Sequence, residues 1–435
     1  MIPSSKKIRF RKRVATFLLA GVPLFAFPQQ SHVWTLEECI QYARDNNISL
    51  RQSRNSWLSG LEDTRQAKEA MFPSLSGSVS QNYSHLASGD TGYNGSYGLT
   101  SDVTLFSGGR LRNAYRQSVL GNSIDSLSMA ETEIYVEMQI VRAYMQCLYA
   151  REAVTLNEQT SETSKAQRDR AEELCKVGAI SRVDLAQLES QYQNDLYQIV
   201  VAQKALEEYK LTLKQLLELG VLDEMEVEDI ALSDEEAVGA LPSKADVLAA
   251  AWRRMPQVER SQKQIESAEI GRRIAKAGYL PTVSLSGGIG TSNDNLAASS
   301  LGTQLSKNLA ENIGLRVSIP IYSNGQNRTA VNKATYNYNS AILSQMDTEK
   351  SLQKEIETVY LDAQSAQSQF RAAVTNRDYA RQSYELTFEQ FKVGAKNTVE
   401  LMKALDEYTQ AAQAVIQAKY MAALNRHLLE IYQGL

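Results

Sequence analysis

The chain has 435 residues, 46 of them basic and 50 acidic, for a formal net charge of −4. Its three cysteines, Cys39, Cys147 and Cys175, are odd in number and far apart, which excludes a disulfide scaffold. It has no CxxC or HxxxH spacing, no GxSxG, no phosphate loop and no dinucleotide glycine pattern, so neither catalysis nor a metal or other cofactor has a visible seat.

Residues 1–30 read as a signal peptide. Six basic residues (Lys6, Lys7, Arg9, Arg11, Lys12, Arg13) precede an apolar run from Val14 to Phe27. That run is shorter than the roughly 20 residues a membrane helix needs. Its removal leaves 40 basic against 50 acidic residues, a charge of −10. So acidic a chain is disfavoured as a nucleic-acid partner.

Residues 31–222 form a first repeat. Thr35 with Glu38 is a capping box that opens a helix, and Phe72-Pro73 ends the helical pattern. Glycine then becomes dense: of 23 in the chain, seven lie between Met71 and Arg110 and seven between Gly278 and Gln326. Within the first window, about 74–106, the pattern switches to period two. Leu75, Gly77, Val79, Gln81 and Tyr83 alternate with serines and Asn82, and Leu99, Ser101, Val103 and Leu105 with Thr100, Asp102 and Thr104. This predicts two strands of about ten residues, joined by a loop from His85 to Ser96. Each is the length of a membrane β-strand. From Ser107 to about Leu174 runs one helix of 68 residues, ~100 Å long. Its seam of Val136, Ile140, Ala143, Cys147, Ala150 and Val154 has coiled-coil spacing. Lys176-Val177-Gly178-Ala179, followed by Ser181 and Asp184, predicts a tight turn into a returning helix. On that helix's seam, Asp195 alone is polar.

Residues 223–242 read as a solvated acidic connector, with eight acids and no base from Asp223 to Glu236. The pattern then repeats over 243–435. Leu280-Pro281-Thr282-Val283 answers Phe72-Pro73-Ser74-Leu75, Ile321-Tyr322-Ser323 answers Leu105-Phe106-Ser107, and Lys392-Val393-Gly394-Ala395 answers the first turn. Strands are predicted over about 282–322, the last from Ile313 to Ile321, with a loop from Thr291 to Ala310 between them. Four strands leave two open edges, which lipid does not tolerate. Closure therefore needs several chains: two would give eight strands around a filled interior, three would give 12 around a passage.

The paired Phe72-Pro73-Ser74 and Leu280-Pro281-Thr282, the Leu105-Phe106-Ser107-Gly108-Gly109 junction and the paired Lys-Val-Gly-Ala turns occur in order and twice. With them the chain resembles the TolC-type outer-membrane efflux protein family over essentially its whole mature length. The resemblance implies a mainly α fold with membrane β: a homotrimeric 12-stranded barrel continued by a 12-helix periplasmic tube. It implies a passive exit duct in the outer membrane, serving an inner-membrane pump through a periplasmic adaptor. The turns at Gly178, Ala179, Gly394 and Ala395 would face the adaptor. Asp184, Phe391, Lys396 and Glu400 fall on the family's periplasmic aperture, and Lys403 stands where an acid is expected. From the residues alone, Asp184 and Glu400 read equally as helix caps or as an aperture latch. A non-transporting, envelope-spanning scaffold is the alternative to the duct. Asp102 and Arg316 read either as lumen-facing groups or as a cross-strand pair.

Overall fold

The computed structural model describes residues 32–85, 87, 91–229, 232–295 and 299–434. The expected signal peptide lies outside them. A short strand β1 (His32–Trp34) leads into helices α1 (Leu36–Asn46) and α2 (Ile48–Glu69). The Thr35 capping box forms as expected, and the Asn47 side chain caps α2 by accepting from the Ser49 and Leu50 N–H groups. Strands β2 (Ser74–His85) and β3 (Thr91–Phe106) follow, then helix α3 (Arg110–Lys176), 67 residues long, and the returning α4 (Arg182–Leu216). After β4 (Met225–Val227) and a single turn, α5 (Asp234–Ala237), come α6 (Lys244–Arg254), α7 (Pro256–Ala277), β5 (Thr282–Asp294), α8 (Leu301–Lys307) and β6 (Ala310–Ser318). Helix α9 (Gln326–Lys392), again 67 residues, and α10 (Thr398–Gln433) close the chain. Helices α6 and α7 equal α1 and α2 in length, at 11 and 22 residues.

The strands form one antiparallel sheet in the order β2-β3-β5-β6. Its register gives the two faces opposite character. On one, Leu99 lies beside Ile289, Val103 beside Leu285, and Leu285 beside Leu315. On the other, Ser76, Thr100, Gly288 and Asn312 fall in one row. At the lower end the chain leaves β3 through Gly108 and Gly109, both at positive φ, and enters α9 through Gly325 in the same conformation. A Cβ on Gly108 would also strike the Leu280 side chain at 2.7 Å, so glycine is required there twice over.

Helix α3 packs along its predicted seam except at Val154, which is half-buried, and α9 packs along the corresponding seam. Val136, Ile140, Ala143, Cys147 and Ala150 on α3 are buried, as are Leu352, Ile356, Val359, Ala363, Ala366 and Phe370 on α9. The main core lies midway along these helices, where α1, α3, α6, α9 and α10 meet around Cys39, Tyr144, Val247, Ile356 and Leu429. Burial pushes the Cys39 and Cys147 thiols up to about 12, so both remain unreactive apolar filler.

Three expectations are corrected. The acidic connector is partly built into the fold. Strand β4 lies parallel to β1, and Met225 and Val227 are buried between acids that face outward. Glu226 accepts from the buried Lys210 ammonium at 2.8 Å. The last strand is displaced: β6 begins at Ala310 and ends at Ser318, leaving Ile319 and Ile321 outside it and exposed. Pro320 has no N–H to continue the ladder. The loops are shorter than expected. Strands β2 and β3 pair out to His85 opposite Thr91, so their connection is 86–90, of which only residue 87 is described. Strand β5 likewise runs to Asp294, and α8 occupies much of the second connection.

Candidate functional site at the hairpin turns

The hairpins α3–α4 and α9–α10 end in turns of identical construction. Gly178 and Gly394 both adopt φ 76°. The Ala179 N–H donates to the Leu174 carbonyl at 2.8 Å and the Ala395 N–H to the Gln390 carbonyl at 2.9 Å, each closing the last helical turn. A Cβ on either glycine would meet nothing within 4 Å. The backbone angle, not space, is therefore what selects glycine.

Each returning helix opens with a complete capping box. The Ser181 hydroxyl accepts from the Asp184 N–H at 3.1 Å, and the Asp184 carboxylate accepts from the Ser181 N–H at 3.3 Å. Asn397 and Glu400 repeat this, at 2.9 Å and 3.2 Å. Both acids therefore act as caps. Each also does something further. Asp184 accepts from the Thr398 hydroxyl at 2.8 Å, which ties the first hairpin's turn to the start of α10. Glu400 accepts from the Lys396 ammonium at 2.5 Å, within its own turn. The hydroxyls of Ser181 and then Thr398 hold the Asp184 carboxyl below the usual range. The Lys396 ammonium, with the Asn397 N–H behind it, does the same for Glu400.

One cavity joins the two turns. Ala179, Asp184, Phe391, Gly394, Lys396 and Thr398 all line it. Lys403 does not belong to this group: one helical turn further on, it is 77% exposed and lies 3.8 Å from Glu407. Sequence reasoning missed Thr398, the buried donor between the hairpins, although it directly follows the cap residue Asn397. It also missed two contacts higher on the same seam. Gln167 donates to the Tyr384 hydroxyl at 2.8 Å, and the Gln191 amide donates to both Asp195 and Asp406. In the sheet, Arg316 stands opposite Ser284 and Asp102 opposite Ser286, and neither forms an ion pair among the described residues, so they are not a cross-strand pair.

The sequence pattern of the family described as Outer membrane efflux protein matches residues 39–218 and 247–432. The chain belongs to the outer membrane efflux protein family. Among characterised relatives, the outer membrane protein TolC of Escherichia coli strain K12 is 23% identical over 429 residues, covering 94% of this chain and 84% of TolC. The outer membrane efflux protein BepC of Brucella suis biovar 1 is also 23% identical, with 93% and 86% covered. Of solved structures, CusC superposes with a TM-score of 0.80 at 18% identity, covering 92% of this chain and 91% of that one. The CmeC outer membrane channel of Campylobacter jejuni gives 0.78 at 20% identity, with 92% and 85% covered. The fold of this efflux-family chain is thus that of TolC-like channels, and its location is the outer membrane.

Proposed function

We propose that this efflux-family protein is a passive exit duct, a homotrimer whose three sheets close into a 12-stranded barrel. The observation that carries the reading is the sheet itself. It has one apolar and one small, polar face, and its outer strands β2 and β6 each pair on one side only within the chain. Lipid leaves no unpaired strand edge in place, so each edge must meet the edge of another copy. Three copies supply 12 strands with the apolar face toward lipid and the row of Ser76, Thr100, Gly288 and Asn312 toward the lumen. The two 67-residue helices continue away from the sheet for ~100 Å. In this reading they form a periplasmic helical barrel whose duplicated turns, at Gly178–Ala179 and Gly394–Ala395, meet a periplasmic adaptor and, through it, an inner-membrane pump.

The aperture in this proposal is the joined turns. Thr398 and Asp184 hold the two hairpins of one chain together, and Lys396 neutralises Glu400 beside them. Lys403 lies outside these turns and is paired with Glu407, so the charge at the turns is set by Asp184 and by the Lys396–Glu400 pair. Purified protein in a planar lipid bilayer tests the reading. Discrete ion conductance supports a duct, whereas correctly inserted protein without conductance supports a non-transporting scaffold.

A further inference from the structure

Above the turns, α3, α4 and α10 enclose a polar cleft whose composition is unbalanced. Asp195 and Asp406 line it, with Asn194, Gln198, Gln410 and Gln413, and no lysine, arginine or histidine takes part in its lining. The Gln191 amide bridges the two acids, donating to Asp195 Oδ1 at 3.0 Å and to Asp406 Oδ1 at 3.1 Å. Those carboxylate oxygens are thus no more than about 6 Å apart. A neutral amide satisfies hydrogen bonds but cancels no charge.

Asp195 is 94% buried, being 6% exposed, and its Oδ2 has no hydrogen-bond partner. The Thr409 hydroxyl, on the α10 side of the cleft, is buried and unpartnered as well. The Ser164 hydroxyl on α3 also faces Asp195 and favours its charged form, while donating to the Ser161 carbonyl at 3.1 Å. Asp406, by contrast, sits at the solvent-exposed mouth. A buried carboxylate without a cation is costly, and two close together more so. Desolvation accordingly raises both acids above their ordinary range. No group of three or more His, Cys, Asp and Glu side chains able to hold a metal ion occurs among the described residues, so an ion here would have two carboxylates and otherwise neutral oxygens. Two carboxylates, amide carbonyls and a hydroxyl are hard oxygen donors. That set suits an ion that keeps some of its water.

We propose that this cleft binds one hard divalent cation of the Mg²⁺/Ca²⁺ class per chain, held by Asp195 and Asp406 with amide and hydroxyl oxygens, and that the ion fastens the first hairpin to α10. The ion enters past Asp406 and supplies the charge that Gln191 cannot. The inference rests on the cleft alone and does not depend on the duct reading.

Mn²⁺ serves as the probe, because its electron paramagnetic resonance signal reports free and bound ion. The full-length protein, purified and freed of divalent ions with EDTA, is titrated with Mn²⁺ and then with competing Ca²⁺ and Mg²⁺. Wild type should bind one ion per chain that Ca²⁺ or Mg²⁺ displaces. Asp406→Asn, at an exposed position where folding is not at stake, should weaken binding at least tenfold, as should Asp195→Asn. The exposed-site control Glu407→Gln should leave it unchanged. Melting temperature gives a second reading: in EDTA, Asp195→Asn should melt higher than wild type, and saturating Mn²⁺ should raise wild type only. Absence of saturable binding, or binding undiminished in Asp406→Asn, overturns the proposal. So does a protonated-carboxyl infrared band that is lost in Asp195→Asn and persists in saturating Mn²⁺.

Discussion

Thr398→Val tests how the proposed aperture is held. Thr398 is 2% exposed, and valine keeps its shape and branching while removing the hydroxyl that reaches Asp184 at 2.8 Å. The capping of Asp184 by Ser181 survives, because that uses the other carboxylate oxygen and the backbone. A hydrogen bond to a charged acceptor contributes roughly 1.5–3 kcal/mol. Asp184 is partly solvated, so water can replace the lost donor and the figure falls to about 1 kcal/mol. In a trimer whose three chains open together the effect is about 3 kcal/mol. At about 1.4 kcal/mol per factor of ten, that shifts the closed–open equilibrium roughly 100-fold toward open. Single-channel recording should show a raised open fraction, while the melting temperature changes little because the midway core is untouched. Unaltered open fraction and conductance in Thr398→Val would show that this bond does not hold the aperture, and Asp184 would then be a cap alone.

Other outcomes follow from the same geometry. Tyr144→Phe removes a fully buried hydroxyl that donates to the Trp34 carbonyl at 3.2 Å, and it should cost about 1 kcal/mol by denaturant titration. The Asp184 carboxyl lies below its ordinary value in the folded chain. Its contribution is therefore complete above the unfolded value of about 3.9 and disappears as pH falls through the folded one. The melting-temperature gap between wild type and Asp184→Asn should accordingly be equal at pH 7 and pH 5 and should shrink below about pH 4. Cysteines placed at Ala179 or Ala395 should crosslink to a co-expressed periplasmic adaptor, and cysteine at the exposed His85 should not. The reverse pattern would invert the proposed orientation.

Legibility in the sequence tracked how local each determinant is. The α3 and α9 seams were readable because burial repeats with the helix period, and the turns because glycine, cap and acid lie within a few residues. Even Asp195 could be found, as the one polar residue on an apolar seam. The groups across the fold could not: Asp406, bridged to Asp195 by Gln191, and Thr398, bonded to Asp184, belong to the other repeat, and only folding brings them there. Strand β4 was hidden because Met225 and Val227 carry the entire apolar signal of a three-residue strand set among acids. The displaced β6 was overrun for the opposite reason. Alternation continues through Ile319 and Ile321 in sequence, but a proline between them withholds the N–H that pairing needs.

In the proposed duct, one chain's four strands close only with two further copies. Native mass spectrometry of the protein released from detergent or nanodisc measures this directly. A species of three chains should persist at protein concentrations where ordinary complexes dissociate, with no folded monomer. A folded single chain stably inserted in a bilayer would contradict it.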